Sequence, residues 1–256
     1  AILAGLAYHG GLVPFGSTFF VFTDYMRPPI RLAALSHLQV VFVMTHDSIF
    51  VGEDGPTHQP VETLAALRAV PNLSVIRPAD ANETAQAWLV ALENRARPTV
   101  LVLSRQDLPV IDRGGCAPAA GLARGAYVLW ESAAGAVPEV ILIGTGSEVH
   151  VCLEAGRRLA AGGRRARVVS MPSWDLFEAQ PASYRDEVLP PTAGARLVVE
   201  AGVGMGWERY AGPAGRVLSV DRFGASAPSR VLAKEFGFTV EGVAEAALAL
   251  CGSRGC

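Results

Sequence analysis

The stretch Val40-Val41-Phe42-Val43-Met44-Thr45-His46-Asp47-Ser48-Ile49-Phe50-Val51-Gly52-Glu53-Asp54-Gly55-Pro56-Thr57-His58-Gln59 sets an apolar run directly against a polar one. Residues 40–44 are β-branched, aromatic or aliphatic without a break, the pattern of a strand buried on both faces. The next fifteen residues hold two histidines, three acids and two glycines. In a parallel sheet such a loop lies at the carboxyl edge, where ligands bind.

The alternation continues outward from that strand. Residues 13–18, 73–76 and 99–103 read as further strands. Residues 27–38 carry Ile30, Ala33, Ala34 and His37 at helical spacing. Pro60 to Arg68 reads as a short helix with proline in its first turn. Asp80-Ala81-Asn82-Glu83 predicts a capping box, the Glu83 carboxylate reaching back to the cap amide. Ala85, Trp88, Leu89 and Leu92 give that helix an expected buried stripe. After an irregular stretch from 110 to 125, rich in glycine and containing Pro118, the pattern resumes. Strands are expected at 139–143, 165–170, 196–199 and 216–220, and helices at 147–161 and from Val240 or Glu241 to Leu250. The first residues already read as helix. The fold class expected is α/β: two successive domains, 1–110 and 126–256, joined by a linker over 111–125. Each is expected to be a mostly parallel sheet with helices on both faces.

Composition narrows the function classes. The 256 residues are 50% hydrophobic and 18% charged, which suits buried α/β cores and argues against disorder. A net charge of −2 gives no reason to expect nucleic acid as a partner. No apolar run approaches the roughly 20 residues that span a bilayer, so a membrane is not expected either. Cys116, Cys152, Cys251 and Cys256 show no C-x-x-C spacing and read as reduced thiols of a cytoplasmic protein.

Chemistry is expected along the carboxyl edge. His46 ends one strand and Arg105 another, a pairing that suits a phosphate; ion pairs with Asp47 or Asp107 are the alternative. His58 lies four residues after Asp54, so a single turn could present both, the acid setting the imidazole's tautomer. No metal site is expected, because the histidines are far apart and no cysteine stands near. Phe19, Phe20, Phe22 and Tyr25 follow a Gly-Ser-Thr turn. Read as extended chain, Phe20 and Phe22 share a face and Phe19 points away; the cluster is either core or a wall for a flat ring. Gly144-Thr145-Gly146-Ser147 lacks the third glycine of a dinucleotide fingerprint, Val149 standing there, and reads as a tight strand-to-helix turn. Neither a G-x-S-x-G elbow nor a P-loop occurs.

Thr45 to Ile49, Gly52 to Pro60, Arg77 to Glu83 and Leu103 to Pro109 together resemble transketolases. Gly16 to Tyr25, Val199 to Gly202 and Phe223 to Pro228 fit the same family. The resemblance runs the length of the chain and implies a middle, pyrimidine-binding domain lacking its start, followed by a C-terminal domain. It implies transfer of a two-carbon ketol unit between sugar phosphates with thiamine diphosphate and Mg²⁺, in a homodimer whose active site lies between chains. It assigns Phe19, Phe22 and Tyr25 to the aminopyrimidine of the cofactor. His46 and Arg105 are assigned to the substrate phosphate, Asp54 to the sugar hydroxyls, and His58 to catalysis beside the reacting carbon. It also places the family's essential glutamate just upstream of Ala1. No Gly-Asp-Gly and no adjacent asparagine pair occurs, so the diphosphate domain and its metal ligands are expected elsewhere and the chain alone is expected to be inactive. Phe50 stands where the resemblance implies glycine, which predicts either a less tight loop or a bulkier pocket mouth. Two alternatives are a related thiamine-dependent enzyme (deoxyxylulose-phosphate synthase or a ketoacid dehydrogenase β subunit), which the sequence fits less well, and a non-catalytic subunit pairing with a separate cofactor-binding chain.

Overall fold

Uninterrupted apolar strands need cover on both faces, and both sheets receive it. The computed structural model describes residues 1–252. Its first sheet is wholly parallel, with β1 (Phe15–Phe19), β2 (Val41–Thr45), β3 (Ser74–Ile76) and β4 (Thr99–Val102) in the order β1-β2-β4-β3. Side-chain alternation divides its core. Phe42, Met44, Val100 and Val102 pack with Ile30, Ala33, Leu64 and Leu67 on one face, while Val41, Ile76 and Leu101 pack with Ala87, Ala91 and Leu122 on the other.

The second sheet holds β5 (Tyr127–Glu131), β6 (Val140–Gly144), β7 (Ala166–Ser170), β8 (Ala195–Val199) and β9 (Arg216–Leu218), in the order β5-β7-β6-β8-β9. All its pairs are parallel except β5 with β7. Its two faces divide likewise: Val140, Leu142 and Leu197 meet the helices Glu148–Ala161 and Val240–Gly252, and Ile141, Ile143 and Val198 meet Phe177, Tyr184 and Trp207. The expected class, two mostly parallel sheets with helices around them, is the one observed.

Several local expectations are corrected. The second helix starts at Thr23, not Arg27, and accommodates Pro28 and Pro29. His37 lies past its end in a left-handed conformation (φ 54°), so it is no part of the buried stripe. The helix expected from Pro60 begins at Thr63. In the helix Ala81–Glu93 the buried positions are Glu83, Ala87 and Ala91, while Leu89 and Leu92 face outward. Small residues there admit the 3-10 turn Ala119–Arg124, whose Leu122 is fully buried. The Glu83 carboxylate accepts from the Ala79 amide (2.8 Å), one residue before the cap, while Asp80 accepts from the Glu83 amide (2.7 Å). Strand β5 was not expected; a bulge between Val128 and Trp130 breaks its alternation. Cys152 is buried and Cys116 half-buried; Cys256 lies outside the described residues. Among the described residues no helix is long and apolar enough to cross a membrane.

The two sheets are joined by buried charge. Arg77 directly follows β3 and is fully buried. Its Nε donates to Asp47 (2.8 Å), and Nη1 donates to the Thr145 carbonyl (2.9 Å) and to Glu148 at the head of the second sheet's first helix. Beside it, Arg68 forks onto Glu200 (2.9 and 2.7 Å), and Trp207 Nε1 donates to the same carboxylate (2.8 Å). Removing one partner of such a pair leaves an uncompensated buried charge, at a cost of about 3–5 kcal/mol. Arg68→Met is therefore expected to lower unfolding stability by about 3–5 kcal/mol in urea titration. Loss of the exposed Arg158–Glu241 pair through Arg158→Met should cost no more than about 1 kcal/mol.

Candidate functional site

Strands β1, β2 and β4 end side by side, and the residues following them meet at one rim. Phe19 pairs in register with Thr45, so the next residue of β2's chain, His46, lies beside Phe19. The two rings stack, with centroids 3.6 Å apart and planes 17° from parallel. His46 holds a left-handed backbone (φ 64°), an uncommon state for a residue with a Cβ and one that concentrates at functional sites. The chain after Phe19 is not extended. Phe20–Phe22 forms a 3-10 turn that buries Phe20 in the core and brings Phe22 nearly parallel to Phe19, 6.1 Å away. The expectation that Phe20 and Phe22 share a face is thereby overturned. Phe19 and Phe22 form the wall instead, His58 stands edge-on to both (6.5 and 5.7 Å), and the exposed Tyr25 continues it beyond Phe22 (6.1 Å).

The polar groups converge on the same rim. Burial first, and then the Arg105 guanidinium, holds the His46 imidazole below its ordinary value of 6.5, while Asp54 and Asp47 pull it upward. Asp54 and Arg105 line one hollow of about 210 Å³ together with Pro228 and Ser229. Among the described residues Arg105 makes no ion pair within 4 Å, with Asp107 or any other acid. Asp47 is turned inward onto Arg77. Asp54 and His58 do not share a helical turn. Two tight turns carry the chain between Gly52 (φ 88°), Gly55 (φ 77°) and His58, and His58 Nδ1 meets Thr57 Oγ1 at 3.0 Å. All seven residues singled out in the sequence thus lie on or next to this rim. No three His, Cys, Asp or Glu side chains group as a metal site among the described residues.

The polar loop is held from the second sheet's side. Gln59 Nε2 donates to the carbonyls of Gly52 (2.8 Å) and Ala225 (2.9 Å), and Ser226 Oγ donates to the Glu53 carbonyl (2.5 Å). A Cβ on Gly224 would fall 1.8 Å from Gln59 Oε1, so a larger residue there would displace the amide that ties the two segments together. Phe50 turns inward and meets Phe238 edge-on at 6.0 Å. Most of the ring is therefore spent on packing between the sheets, with only an edge at the hollow. At the strand-to-helix turn from Gly144 to Ser147, Gly146 (φ 58°) lies against the Arg77 guanidinium. Sequence reading assigned no role to Arg77, Glu148, Gln59 or Gly224. A charged residue directly after a buried strand was the one signal available, since such a charge requires a partner.

His46 is expected to titrate below 6.5 in ring-resolved NMR. Arg105→Gln should raise its midpoint, and Asp54→Asn should lower it further. The unfolded chain's histidine takes up its proton near 6.5. Folded His46 does so only at lower pH, so its linked stability is complete above about 6.5 and is lost as pH falls below it.

Comparison with known proteins follows this geometry. The family described as "Transketolase, pyrimidine binding domain" matches residues 1–110, and "Transketolase-like TK C-terminal domain" matches residues 125–239. A transketolase of Geobacillus stearothermophilus is 58% identical over 252 residues, covering 98% of this chain and 38% of the relative. A crystal structure of a Pichia stipitis transketolase in complex with sedoheptulose 7-phosphate superposes with a TM-score of 0.91 at 40% identity, covering 98% of this chain and 36% of that one. A split-gene transketolase, described as an inactive β4 tetramer, gives 0.80 at 25% identity, covering 98% of this chain and 80% of that one. The chain spans little more than a third of its curated relative's length. With both sheets, the rim between them and all but a few residues matched, the chain belongs to the transketolase family.

Proposed function

We propose that this chain supplies the pyrimidine-binding wall and the sugar-phosphate grip of a thiamine diphosphate-dependent transketolase. That enzyme would move a two-carbon ketol unit from a ketose phosphate to an aldose phosphate, in the pentose phosphate pathway. The observation that carries the reading is an Arg105 without an ion pair among the described residues, next to a neutral-leaning His46, at the rim that also holds the Phe19–Phe22 wall. A guanidinium without a carboxylate partner, beside imidazole donors, suits a phosphate. The bound sugar phosphate of the Pichia relative supports the same ligand class.

The aromatic wall fits a flat heteroaromatic ring, with Phe19 and Phe22 only 7° from parallel and Tyr25 beside them. No metal-binding group fits here among the described residues, so the diphosphate and Mg²⁺ would be held by another domain. When bound, thiamine diphosphate supplies the carbon nucleophile and electron sink of ketol transfer. This chain's residues would grip and orient the sugar. Arg105 and His46 anchor the phosphate and so fix how deep the sugar reaches. Asp54, in the same hollow, accepts a hydrogen bond from a sugar hydroxyl and discriminates its stereochemistry. His58 has Nδ1 occupied by Thr57, so Nε2 is the atom that takes or returns a proton at the sugar oxygen. Binding energy from the remote phosphate orients the reacting carbon.

The division into residues 1–110, a linker at 111–125 and residues 126–256 belongs to this reading. So do cytoplasmic placement and assembly as a homodimer, for which the exposed Ile2, Phe15, Tyr25, Leu32 and Leu35 of the first part offer an apolar face. A second reading, a separate subunit pairing with a cofactor-binding chain, is favoured by the split-gene relative of similar extent.

Fusion or mixing of this chain with the N-terminal part of the Geobacillus relative should yield ketol transfer, whereas the chain alone should show none. In that assembly Arg105→Ala is expected to raise KM for phosphorylated donors by about 10–100-fold, the worth of a charged hydrogen bond. An unphosphorylated donor should be nearly unaffected. Equal losses for both donors would remove the phosphate assignment.

A further inference from the structure

The rim residue His46 directly precedes Asp47, which belongs to a buried cluster that the proposed chemistry does not use. Asp47 is 2% exposed and receives both Nε (2.8 Å) and Nη2 (2.7 Å) of Arg77, along with Ser48 Oγ (3.2 Å). Ser48 Oγ in turn accepts the Phe50 amide at 3.3 Å. On its other side Arg77 reaches only groups of the second sheet's unit: Glu148 and the Thr145 carbonyl. Its own backbone is knitted there too, the amide donating to the Pro172 carbonyl (2.9 Å) and the carbonyl accepting from Gly146 (3.1 Å). Glu148 is fixed by Ser147 Oγ (2.6 Å) and the Ala201 amide (3.0 Å). Gly146 offers no Cβ where the guanidinium lies; one would sit 2.6 Å from Cζ.

We propose that Arg77 is a positioning residue through which the second sheet's unit sets His46. By pinning Asp47, it holds the left-handed turn at His46 and so the stack of that imidazole on Phe19. The argument is one of constraint. A left-handed, Cβ-bearing residue persists only where its surroundings over-determine it. The neighbours that do so here are Thr45, paired with Phe19 at the end of β2, and Asp47, locked by Arg77. Glu148 keeps Arg77 from relaxing toward the interior, so a group 102 positions further along the chain fixes the rim. That this matters for anion binding rests on the reading proposed above; the positional claim itself does not.

The test uses the complete 256-residue chain with ring-labelled histidine, without any ligand. Stacking on Phe19 displaces the His46 ring signals upfield, with His9 and His37 as internal references. Glu148→Gln keeps the shape but puts an amide nitrogen, which cannot accept, against Arg77. The expected result is loss of at least half the His46 displacement in Glu148→Gln and nearly all of it in Arg77→Met, with the references unmoved. Arg77→Lys, with one donor group in place of the fork, should fall between wild type and Arg77→Met. Unchanged His46 signals in folded Glu148→Gln overturn the proposal, and this holds even where Arg77→Met fails to fold. A separate titration of wild type with inorganic phosphate reads the anion site: no response of His46 there would sink the phosphate reading while leaving the ring-shift result to decide on Arg77.

Discussion

One guanidinium, without access to water, determines how this molecule is put together. Arg77 is charged and fully buried, so it requires carboxylates, and those available to it come from both halves of the chain: Asp47 at the end of β2 and Glu148 beyond β6. An unpaired charge in that position would be too costly to tolerate. Burial pushes the Glu148 carboxyl upward and Arg77 pulls it back, so each group depends on the other for its charge state. The two sheets therefore close in one arrangement. Arg68 with Glu200, and Asp80 with Arg113, repeat the device at either side. Polar pairing of this kind contributes registry between the sheets as well as energy.

The functional rim is a consequence of that closure. Parallel strands bring Phe19, His46 and Arg105 to a common edge, because β1, β2 and β4 are neighbours running the same way. Between His46 and Gln59 the loop buries Ile49, Phe50 and Val51 in a 3-10 turn, with Ile49 and Phe50 joining the second sheet's core. It is fixed by Arg77 through Asp47 at its start and by Gln59, on the carbonyl of Ala225, at its end. The resulting surface joins an aromatic wall, two imidazoles, a carboxylate and a guanidinium that has no acid within 4 Å among the described residues.

Much of this was legible from residues alone. The continuous apolar runs gave both sheets, since strands buried on both faces leave no other pattern, and the polar loop after residue 44 located the rim. Local chemistry was harder. Phe20 and Phe22 read as alternating strand positions because a three-residue 3-10 turn has no sequence marker strong enough to displace that reading. Leu89 and Leu92 read as core by size and spacing, whereas the helix packs through Glu83, Ala87 and Ala91 where the 119–124 turn needs room. Strand β5 went unseen because its bulge breaks the period. The Arg77 cluster joins residues 47, 77 and 148, and pairing across such separations is set by tertiary closure, not by any local spacing.

The most direct measurement is a double-mutant cycle on unfolding stability between Asp47→Asn and Glu148→Gln, followed by urea denaturation with probes in each sheet. If Arg77 couples the two carboxylates, the chain unfolds in one transition and the effects fail to add by about 1–3 kcal/mol. Additive effects, or two separate transitions in the wild-type chain, would contradict the account.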